Sequence, residues 1–287
     1  MRAVKWFTAL VMACFLTTPA YAKCTQQGLR IAVIPKKNMD VLREHKPLAD
    51  RLSAELHMPV DIVPSSSYES VVDAIVSGGV DIAWLGPASY MLAYQRDPRI
   101  EPFASLTISG GYFTPAGHHY QALLLARGDQ ASDWTALRGK RVVLTDPAST
   151  SGSVVPNTEF STLAGQPLLQ FFSSIVYSGS HDKSMDALLE GKVDAAFVSS
   201  VRADAYLNSG KIGRDTFKVL WRSDPIYYDP FVFSGSLCAP LKKRIRAAML
   251  NNQEQLASFL DSQEATGIVP VTHAEYAPLL HMMPMHQ

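Results

Sequence analysis

One short unit occurs twice in this sequence, and it limits the possible folds more than any other feature. Residues 73–83 read DAIVSGGVDIA and residues 186–196 read DALLEGKVDAA, sharing Asp, Ala, Gly, Val, Asp and Ala at matching positions. Each copy predicts an amphipathic helix that ends at a glycine, Gly78 or Gly191, and is followed by a buried strand. Helix, glycine and strand in succession are common in α/β proteins, so the pair alone does not prove a repeat. The alternative interpretation is that the two copies belong to two lobes of similar build.

The rest of the chain alternates predicted strands with predicted helices. The run LRIAVIP at 29–35 is typical of a buried strand, and apolar spacing predicts a helix through 39–56. Further strands are predicted at 60–63, 80–85, 120–126, 141–145, 175–177, 193–198 and 217–221. Such alternation favours an α/β sheet that is parallel in its core.

The order of these segments predicts an inserted second lobe. The segment 240–259 is predicted to be a long amphipathic helix with no further strand after it, so it most simply returns to cover the first lobe. Two chain crossings, near 106–121 and 221–236, would then form a hinge. The expected division is a leader at 1–22, the first lobe at 23–110, the inserted lobe at 111–234 and the returning segment of the first lobe at 235–287.

Charge and composition exclude two classes of protein. The chain has 26 basic and 26 acidic residues, so it lacks the positive field that non-specific nucleic-acid binding requires. With 47% hydrophobic and 18% charged residues, it is also far from the composition of disordered chains. We therefore expect a folded protein that does not bind nucleic acid.

The first 22 residues have the pattern of a secretory signal peptide. Arg2 and Lys5 precede the apolar run 6–16, and the small residues Ala20 and Ala22 form a cleavage pattern. The apolar run is well short of the roughly 20 residues needed to span a bilayer. We expect export to the periplasm with cleavage after Ala22, and a lipid anchor is the alternative.

Two cysteines, Cys24 and Cys238, remain once such a leader is removed. In an oxidising compartment, an even pair more readily forms one disulfide than two free thiols or a metal site. We therefore expect a disulfide between them.

Four predicted helix starts contain small or hydroxyl residues and follow predicted strands. In a parallel α/β sheet, such starts point unpaired N–H groups into the crevice at the carboxyl ends of the strands. Hydroxyl and N–H donors with few cations suit a compact oxyanion better than a long nucleotide. Simple helix capping would also explain each start taken singly. The four are SSSY at 65–68, GPASY at 86–90, STSGS at 149–153 and SGSH at 178–181.

No recognised catalytic motif accompanies these segments. The sequence lacks G-x-S-x-G, H-E-x-x-H, C-x-x-C and G-x-G-x-x-G, and PASTSG at 147–152 lacks the Gly-Lys-Ser/Thr of nucleotide-binding phosphate loops. His181 beside Asp182 has no accompanying nucleophile. The segment 281–286 holds His and Met side chains that suit copper, but a plain chain terminus is the default interpretation. We expect no cofactor and no metal.

Four segments together resemble the phosphate/phosphite/phosphonate family of periplasmic solute-binding proteins of ABC transporters. They are VDIAWLGPASY at 80–90, DPASTSGSVVP at 146–156, GSHD at 179–182 and YDPFV at 228–232. The resemblance extends from about 29 to 250 in the order typical of the family. It implies a type II periplasmic-binding-protein clamshell of α/β class, in which each lobe is a mixed, mainly parallel sheet flanked by helices.

Carried over position by position, the resemblance also implies a ligand site between the lobes. The Ser-Thr-Ser helix start would hold phosphoryl oxygens. The loop at 112–119 is longer than the family pattern, and FVSSVR at 197–202 lacks a carboxylate that some aminophosphonate binders have there, so amine recognition is not implied. The implied ligand contacts are Tyr68, Ser149, Thr150, Ser151, His181 and Asp229, with Ser89 or Tyr90 as a looser inference.

The expected function is capture of a small phosphorus oxyanion (phosphonate, phosphite or phosphate) and its delivery to the permease and ATPase of an ABC transporter. The protein is expected to be monomeric and not an enzyme. One alternative is an oxyanion sensor that partners a sensor kinase. Another is a secreted phosphoester hydrolase using His181 and Asp229, although such hydrolysis usually needs metals or a covalent nucleophile.

Overall fold

A computed structural model describes residues 24–35, 41–128 and 131–283. The proposed leader and its cleavage site after Ala22 lie outside these residues, as does the end of the chain from 284. The strands are β1 (Leu29–Val33), β2 (Val60–Val63), β3 (Ile82–Trp84), β4 (Glu101–Ile108), β5 (His119–Tyr120), β6 (Ala122–Arg127), β7 (Arg141–Leu144), β8 (Ser174–Tyr177), β9 (Ala195–Ser199), β10 (Phe217–Arg222), β11 (Ile226–Tyr227), β12 (Pro230–Phe233) and β13 (Ala265–Pro270).

Helices connect and cover these strands. The α-helices are α1 (Val41–Leu56), α2 (Tyr68–Val76), α3 (Pro87–Arg96), α4 (Ser161–Ala164), α5 (Leu168–Phe171), α6 (His181–Leu189), α7 (Ser200–Asn208), α8 (Ala239–Leu250), α9 (Ala257–Ser262) and α10 (His273–Tyr276). Two π-helical turns follow β7, at Thr150–Val154 and Pro156–Phe160. Within the described ranges, no helix has the length and apolar character needed to cross a bilayer.

Two sheets organise the chain, and their helices define two lobes. The first lobe has a six-stranded sheet of order β13-β4-β12-β3-β1-β2, and the second a five-stranded sheet of order β10-β6-β9-β7-β8. Three neighbouring strands are parallel in each sheet, β2-β1-β3 and β9-β7-β8, while the remaining pairs are antiparallel. The sheets are therefore mixed, but not mainly parallel, because several strands enter from the chain crossings and not through a helical crossover.

The second sheet is formed by the middle of the chain. Its strands lie between 122 and 222, whereas strands before 109 and after 229 form the first sheet. Between the sheets, β5 and β11 pair antiparallel where the chain crosses in each direction. The return begins at β12, a few residues before the expected boundary at 234.

One strand of the first sheet was not predicted from the sequence. β13 follows α8 and α9 and pairs with β4 at the sheet edge. Its sequence, ATGIVP, contains Gly and Pro, and most of its side chains are at least partly exposed. Such residues are tolerated at an edge and give little strand signal. The returning segment therefore completes the first sheet as well as covering it.

The repeated unit occupies corresponding places in the two lobes. α2 and β3 form one copy, and α6 and β9 form the other. Gly78 and Gly191 end the helices with φ of 73° and 72°, a left-handed conformation that glycine adopts without strain. In each copy, the strand is interior to its sheet.

Apolar layers fill both faces of each sheet. In β12, Phe231 and Phe233 pack with α1, α8 and α9 on one face, whereas Val232 packs with α2 and α3 on the other. The second sheet likewise packs against α6 and α7 on one face and against α5 on the other. This layering brings the carboxyl ends of the parallel strands to the junction between the lobes.

A disulfide closes the first lobe at its N-terminal end. Cys24 and Cys238 are bonded, with Cα atoms 5.9 Å apart and 214 positions of sequence separation. Cys238 immediately precedes α8, so the bond joins the segment before β1 to the start of the returning helix.

Candidate ligand site

A cavity of about 70 Å³ lies between the lobes, at the carboxyl ends of the parallel strands. By the same kind of measure, a single water needs roughly 10–15 Å³, so the cavity has room for a few waters or one small anion. It is lined by Val33, Ile34, Pro35, Tyr68, Trp84, Gly86, Tyr120, Ser149, Thr150, His181, Asp182, Ser199, Val201, Arg202, Tyr228 and Asp229. Both lobes and both crossings therefore contribute to one site.

The Ser-Thr-Ser segment is folded tightly at the end of β7. Ser149 caps the first π-helical turn, its Oγ accepting a hydrogen bond from the N–H of Gly152 at 3.2 Å. A Cβ atom on Gly152 would overlap the side chain of Thr145, so only glycine fits at this position. The turn holds Ser149 and Thr150 against the cavity and leaves Ser151 beside them.

His181 is held as a neutral donor. The N–H of Ser199 donates to its Nδ1 at 3.2 Å, and the Thr145 hydroxyl lies 2.9 Å from the same atom. Since a backbone amide only donates, Nδ1 must be unprotonated and the ring proton sits on Nε2. Nε2 lies 3.5 Å from the Oγ atoms of both Ser149 and Ser151. Burial, and then the charge of Arg202, lower the pKa of His181 to about 3.

The buried Tyr68 and Tyr120 and the partly buried Tyr228 retain their protons at the site. Burial is the main cause that raises the pKa values of Tyr68, Tyr120 and Tyr228, and the negative charge of Asp229 raises each further. Tyr68 is the first residue of α2, and Tyr120 lies on the crossing strand β5. Their phenol groups are therefore neutral and able to donate hydrogen bonds.

The backbone of Asp229 is fixed by the first lobe. Its carbonyl oxygen accepts hydrogen bonds from Trp84 Nε1 at 3.1 Å and from Ser105 Oγ at 2.9 Å. The carboxylate lies on the cavity side near Gly86, where an added Cβ would be 4.0 Å from Oδ1. An ionised carboxylate only accepts hydrogen bonds, so Asp229 is complementary to a ligand that carries a proton.

An ion pair between a partly exposed guanidinium and a buried carboxylate lies on the wall formed by the second lobe. Arg202 Nε is 3.5 Å from Asp182 Oδ1, and both residues line the cavity. Arg202 lies in the first turn of α7, directly after β9. Because it follows the end of a strand, as the other predicted ligand contacts do, its position in the sequence could have identified it. The segment 197–202 was predicted only to lack a carboxylate, and this cation was not predicted from the sequence.

The structure brings most of the predicted site residues together. Tyr68, Ser149, Thr150, His181 and Asp229 line the cavity, and Ser151 reaches it through its contact with His181. The cavity is also lined by residues that were not predicted as ligand contacts: Trp84, Tyr120, Ser199 and Tyr228. No local sequence pattern marks Tyr120 as a site residue. It reaches the cavity because β5 pairs with β11, a segment that is distant in the sequence.

Ser89 and Tyr90 are not among the lining residues. Both are fully buried. Ser89 Oγ donates to the carbonyl oxygen of Ala148 at 2.8 Å, and the Tyr90 hydroxyl lies 2.7 Å from Nδ1 of His273. The first turn of α3 thus reaches the lobe junction, but these two side chains turn away from the cavity.

Across the parts of the chain that the structure describes, no group of three or more His, Cys, Asp or Glu side chains could hold an ion. The cavity instead presents hydroxyl, phenol and imidazole donors together with one carboxylate–guanidinium pair and Asp229.

Comparison with known proteins supports a single family. The profile described as "ABC transporter, phosphonate, periplasmic substrate-binding protein" matches residues 31–276. The "Phosphate-import protein PhnD" of Mycolicibacterium smegmatis is 26% identical over 277 residues, covering 89% of this chain and 85% of that protein.

Solved structures share the fold at lower identity. A binding protein component of an ABC phosphonate transporter from Pseudomonas aeruginosa has a TM-score of 0.79 at 20% identity, covering 90% of this chain and 85% of that one. PhnD1 from Prochlorococcus marinus in complex with methylphosphonate has a TM-score of 0.75 at 20% identity, covering 89% of this chain and 97% of that one. Because the family match runs through both sheets and includes each residue that lines the cavity, this chain belongs to the periplasmic phosphonate substrate-binding proteins of ABC transporters.

Proposed function

We propose that this protein captures a small phosphorus oxyanion in the cavity between its lobes and delivers it to the permease and ATPase of an ABC transporter. The observation that carries the proposal is the polarity of the site. Neutral donors converge from both lobes, and Asp229 supplies an acceptor among them. An oxyanion with a P–OH group matches both, because its oxygens accept hydrogen bonds and its proton is donated.

Each proposed contact has a defined chemical role. The hydroxyl groups of Ser149, Thr150 and Ser151 and the Nε2–H of His181 donate to phosphoryl oxygens. The Tyr68 phenol donates from the first lobe, and Asp229 accepts the ligand proton. Val33, Ile34 and Pro35 provide an apolar wall, which favours a hydrogen or methyl substituent on phosphorus over a hydroxyl group, and the small cavity disfavours a long substituent.

Hydrolysis is poorly supported by the same geometry. With Nδ1 accepting from Ser199 and the proton on Nε2, His181 offers the cavity no lone pair with which to act as a general base. The names of the relatives point to phosphate, phosphonate and methylphosphonate as candidate ligands. A sensor role would need a kinase partner, and loss of uptake after gene deletion distinguishes transport from sensing.

Export and closure complete the proposal. The pattern in residues 1–22 predicts cleavage after Ala22, and the disulfide suits an oxidising periplasm.

Donors from both lobes can meet one small anion only when the lobes are close, so we expect the lobes to close over the ligand. We expect the protein to act as a monomer. Small-angle scattering should show a smaller radius of gyration with saturating ligand.

Calorimetry on the mature protein tests the function. Phosphite, methylphosphonate, phosphate and 2-aminoethylphosphonate are titrated separately. At least one of the first three should bind tightly, and the Ser149→Ala/Thr150→Ala double variant should lose that binding. Ser77→Ala is a matched control, since Ser77 Oγ donates to the Asp73 carbonyl on the exposed end of α2. Absence of binding by the wild-type protein to all four anions would overturn the proposal.

A further inference from the structure

We infer that Ser89 is a positioning residue: from the first lobe, it fixes the Ser149–Ser151 oxyanion loop without touching the ligand. The inference rests on the proposed function, which makes that loop the phosphoryl-binding element. Ser89 lies in the first turn of α3 and is fully buried. Its hydroxyl donates to the Ala148 carbonyl oxygen at 2.8 Å, and Ala148 immediately precedes the loop.

A second hydrogen bond crosses the same junction two residues further on. The N–H of Ala88 donates to Thr150 Oγ1 at 2.8 Å, and both groups are buried. Gly86 lies against the same hydroxyl, since a Cβ atom there would be 3.3 Å from Thr150 Oγ1. The start of α3 therefore holds both neighbours of Ser149, one by its carbonyl and the other by its side chain.

The direction of the Ala88 bond orients the Thr150 hydroxyl. A backbone N–H only donates, so Thr150 Oγ1 is the acceptor and its single proton is directed elsewhere. Thr150 lines the cavity together with Tyr120. Contact with the first lobe thus leaves Thr150 as a donor on the cavity side, the role that an oxyanion requires.

These contacts couple the junction between the lobes to the ligand. α3 packs on the first sheet, whereas the loop follows β7 of the second. The two hydrogen bonds join elements of different lobes in the ligand-free structure, and Val154, just beyond the loop, packs into the core of the first lobe. Removing the Ser89 hydroxyl leaves a buried carbonyl without this donor and loosens the loop, even though no cavity atom is deleted.

Ser89→Ala tests the inference through ligand kinetics. We expect the dissociation rate of the bound phosphorus oxyanion to rise about tenfold, with the association rate within about twofold of wild type. Ser184→Ala is the matched control, because Ser184 is equally buried and bonds to Ser178 Oγ at 2.7 Å within the second lobe. It should lower stability without changing the dissociation rate. Equal dissociation rates in Ser89→Ala and wild type would overturn the inference.

A ligand-free measurement separates this inference from the proposed function. Amide hydrogen exchange should become at least tenfold faster at Ala88 and Gly152 in Ser89→Ala, but not in Ser184→Ala. If wild-type protein binds none of the anions, the proposed function fails while the exchange data still decide whether Ser89 holds the loop. Unchanged exchange at both amides contradicts the positioning role whatever the ligand proves to be.

Discussion

The backbone N–H of Ser199 donates a hydrogen bond to Nδ1 of His181 over 3.2 Å. This contact joins the end of β9 to the first residue of α6 and determines which ring nitrogen carries the proton. The tautomer of a proposed ligand donor is thus set by the backbone of the second sheet. It also explains how a buried histidine can serve an anion site without a positive charge.

Stability in acid should reveal the neutral state of His181. Its pKa is about 3 in the folded protein, whereas an unfolded chain takes up the proton near pH 6.5. Between these values the unfolded state binds more protons, so the free energy of unfolding falls as pH falls, by up to about 1.4 kcal/mol per pH unit from this group. Urea unfolding of wild type and His181→Gln from pH 7 to pH 4 measures the contribution.

The variant supplies its own control, because all other titrating groups are shared. His181→Gln should show a shallower loss of stability with acid than the wild-type protein. Parallel curves for the two proteins would contradict the assignment of a buried, neutral imidazole.

Gly152 should tolerate no side chain. A Cβ atom would overlap Thr145, whose hydroxyl lies 2.9 Å from His181 Nδ1. Gly152→Ala should therefore displace both the Ser149 turn and His181, reducing anion affinity by at least about a hundredfold or preventing folding, as overpacked cores often cost roughly 1–3 kcal/mol or more.

Gly213→Ala provides the comparison, because its Cβ would meet only Thr216 Oγ1 at an ordinary 3.7 Å. Calorimetry and thermal unfolding on both variants check the claim. Wild-type affinity in Gly152→Ala would show that the turn has room for a methyl group beside Thr145.

Loss of the disulfide should destabilise the protein without altering the cavity. The bond spans 214 positions, and chain-entropy reasoning gives a contribution of about 4–5 kcal/mol, less if the unfolded chain is compact. Denaturant unfolding of the Cys24→Ser/Cys238→Ser double variant measures it, with anion affinity expected to stay within about threefold. Two reactive thiols in denatured mature protein would contradict the bond itself.

The sequence predicted which segments form the site better than it predicted which side chains face the cavity. The Ser-rich helix starts and the family resemblance pointed to Ser149, Thr150 and His181, because strand ends in a parallel sheet share one edge. Within α3, however, successive side chains rotate by about 100°, so a helix start at the junction does not say which side chain faces the cavity. Ser89 consequently bonds across the lobes, and Tyr90 faces the core of the first lobe.

For the fold as well, the sequence predicted local features better than those that depend on contacts between distant segments. Local periodicity predicted β1, β3, β7 and β9, which are buried strands with strong apolar runs. It could not predict β13, whose place is fixed by pairing with β4 across more than 150 residues of chain. Nor could it predict that the pairing of β5 with β11 brings Tyr120 to the cavity.

Anion selectivity should depend on Asp229. Its carboxylate lines the cavity and can only accept hydrogen bonds, so a bound oxyanion must bring a proton to it. Phosphate, phosphite and methylphosphonate can carry a P–OH group near neutral pH, whereas sulfate cannot. Sites built around a required hydrogen bond reject analogues that lack it by up to about 10⁴-fold. We therefore expect tight binding of a phosphorus oxyanion and negligible binding of sulfate.

Asp229→Asn should reduce the difference in affinity between the phosphorus oxyanion and sulfate. The amide adds a donor that suits sulfate and replaces the charged acceptor of a P–OH proton with a weaker, neutral one, while Trp84 and Ser105 still hold the backbone carbonyl in place. Calorimetry at pH 7 with sulfate and the best phosphorus ligand, on both proteins, measures the change, since each tenfold corresponds to about 1.4 kcal/mol. If the wild-type protein binds sulfate within about tenfold of its affinity for the phosphorus ligand, Asp229 does not select the anion by accepting a hydrogen bond from it.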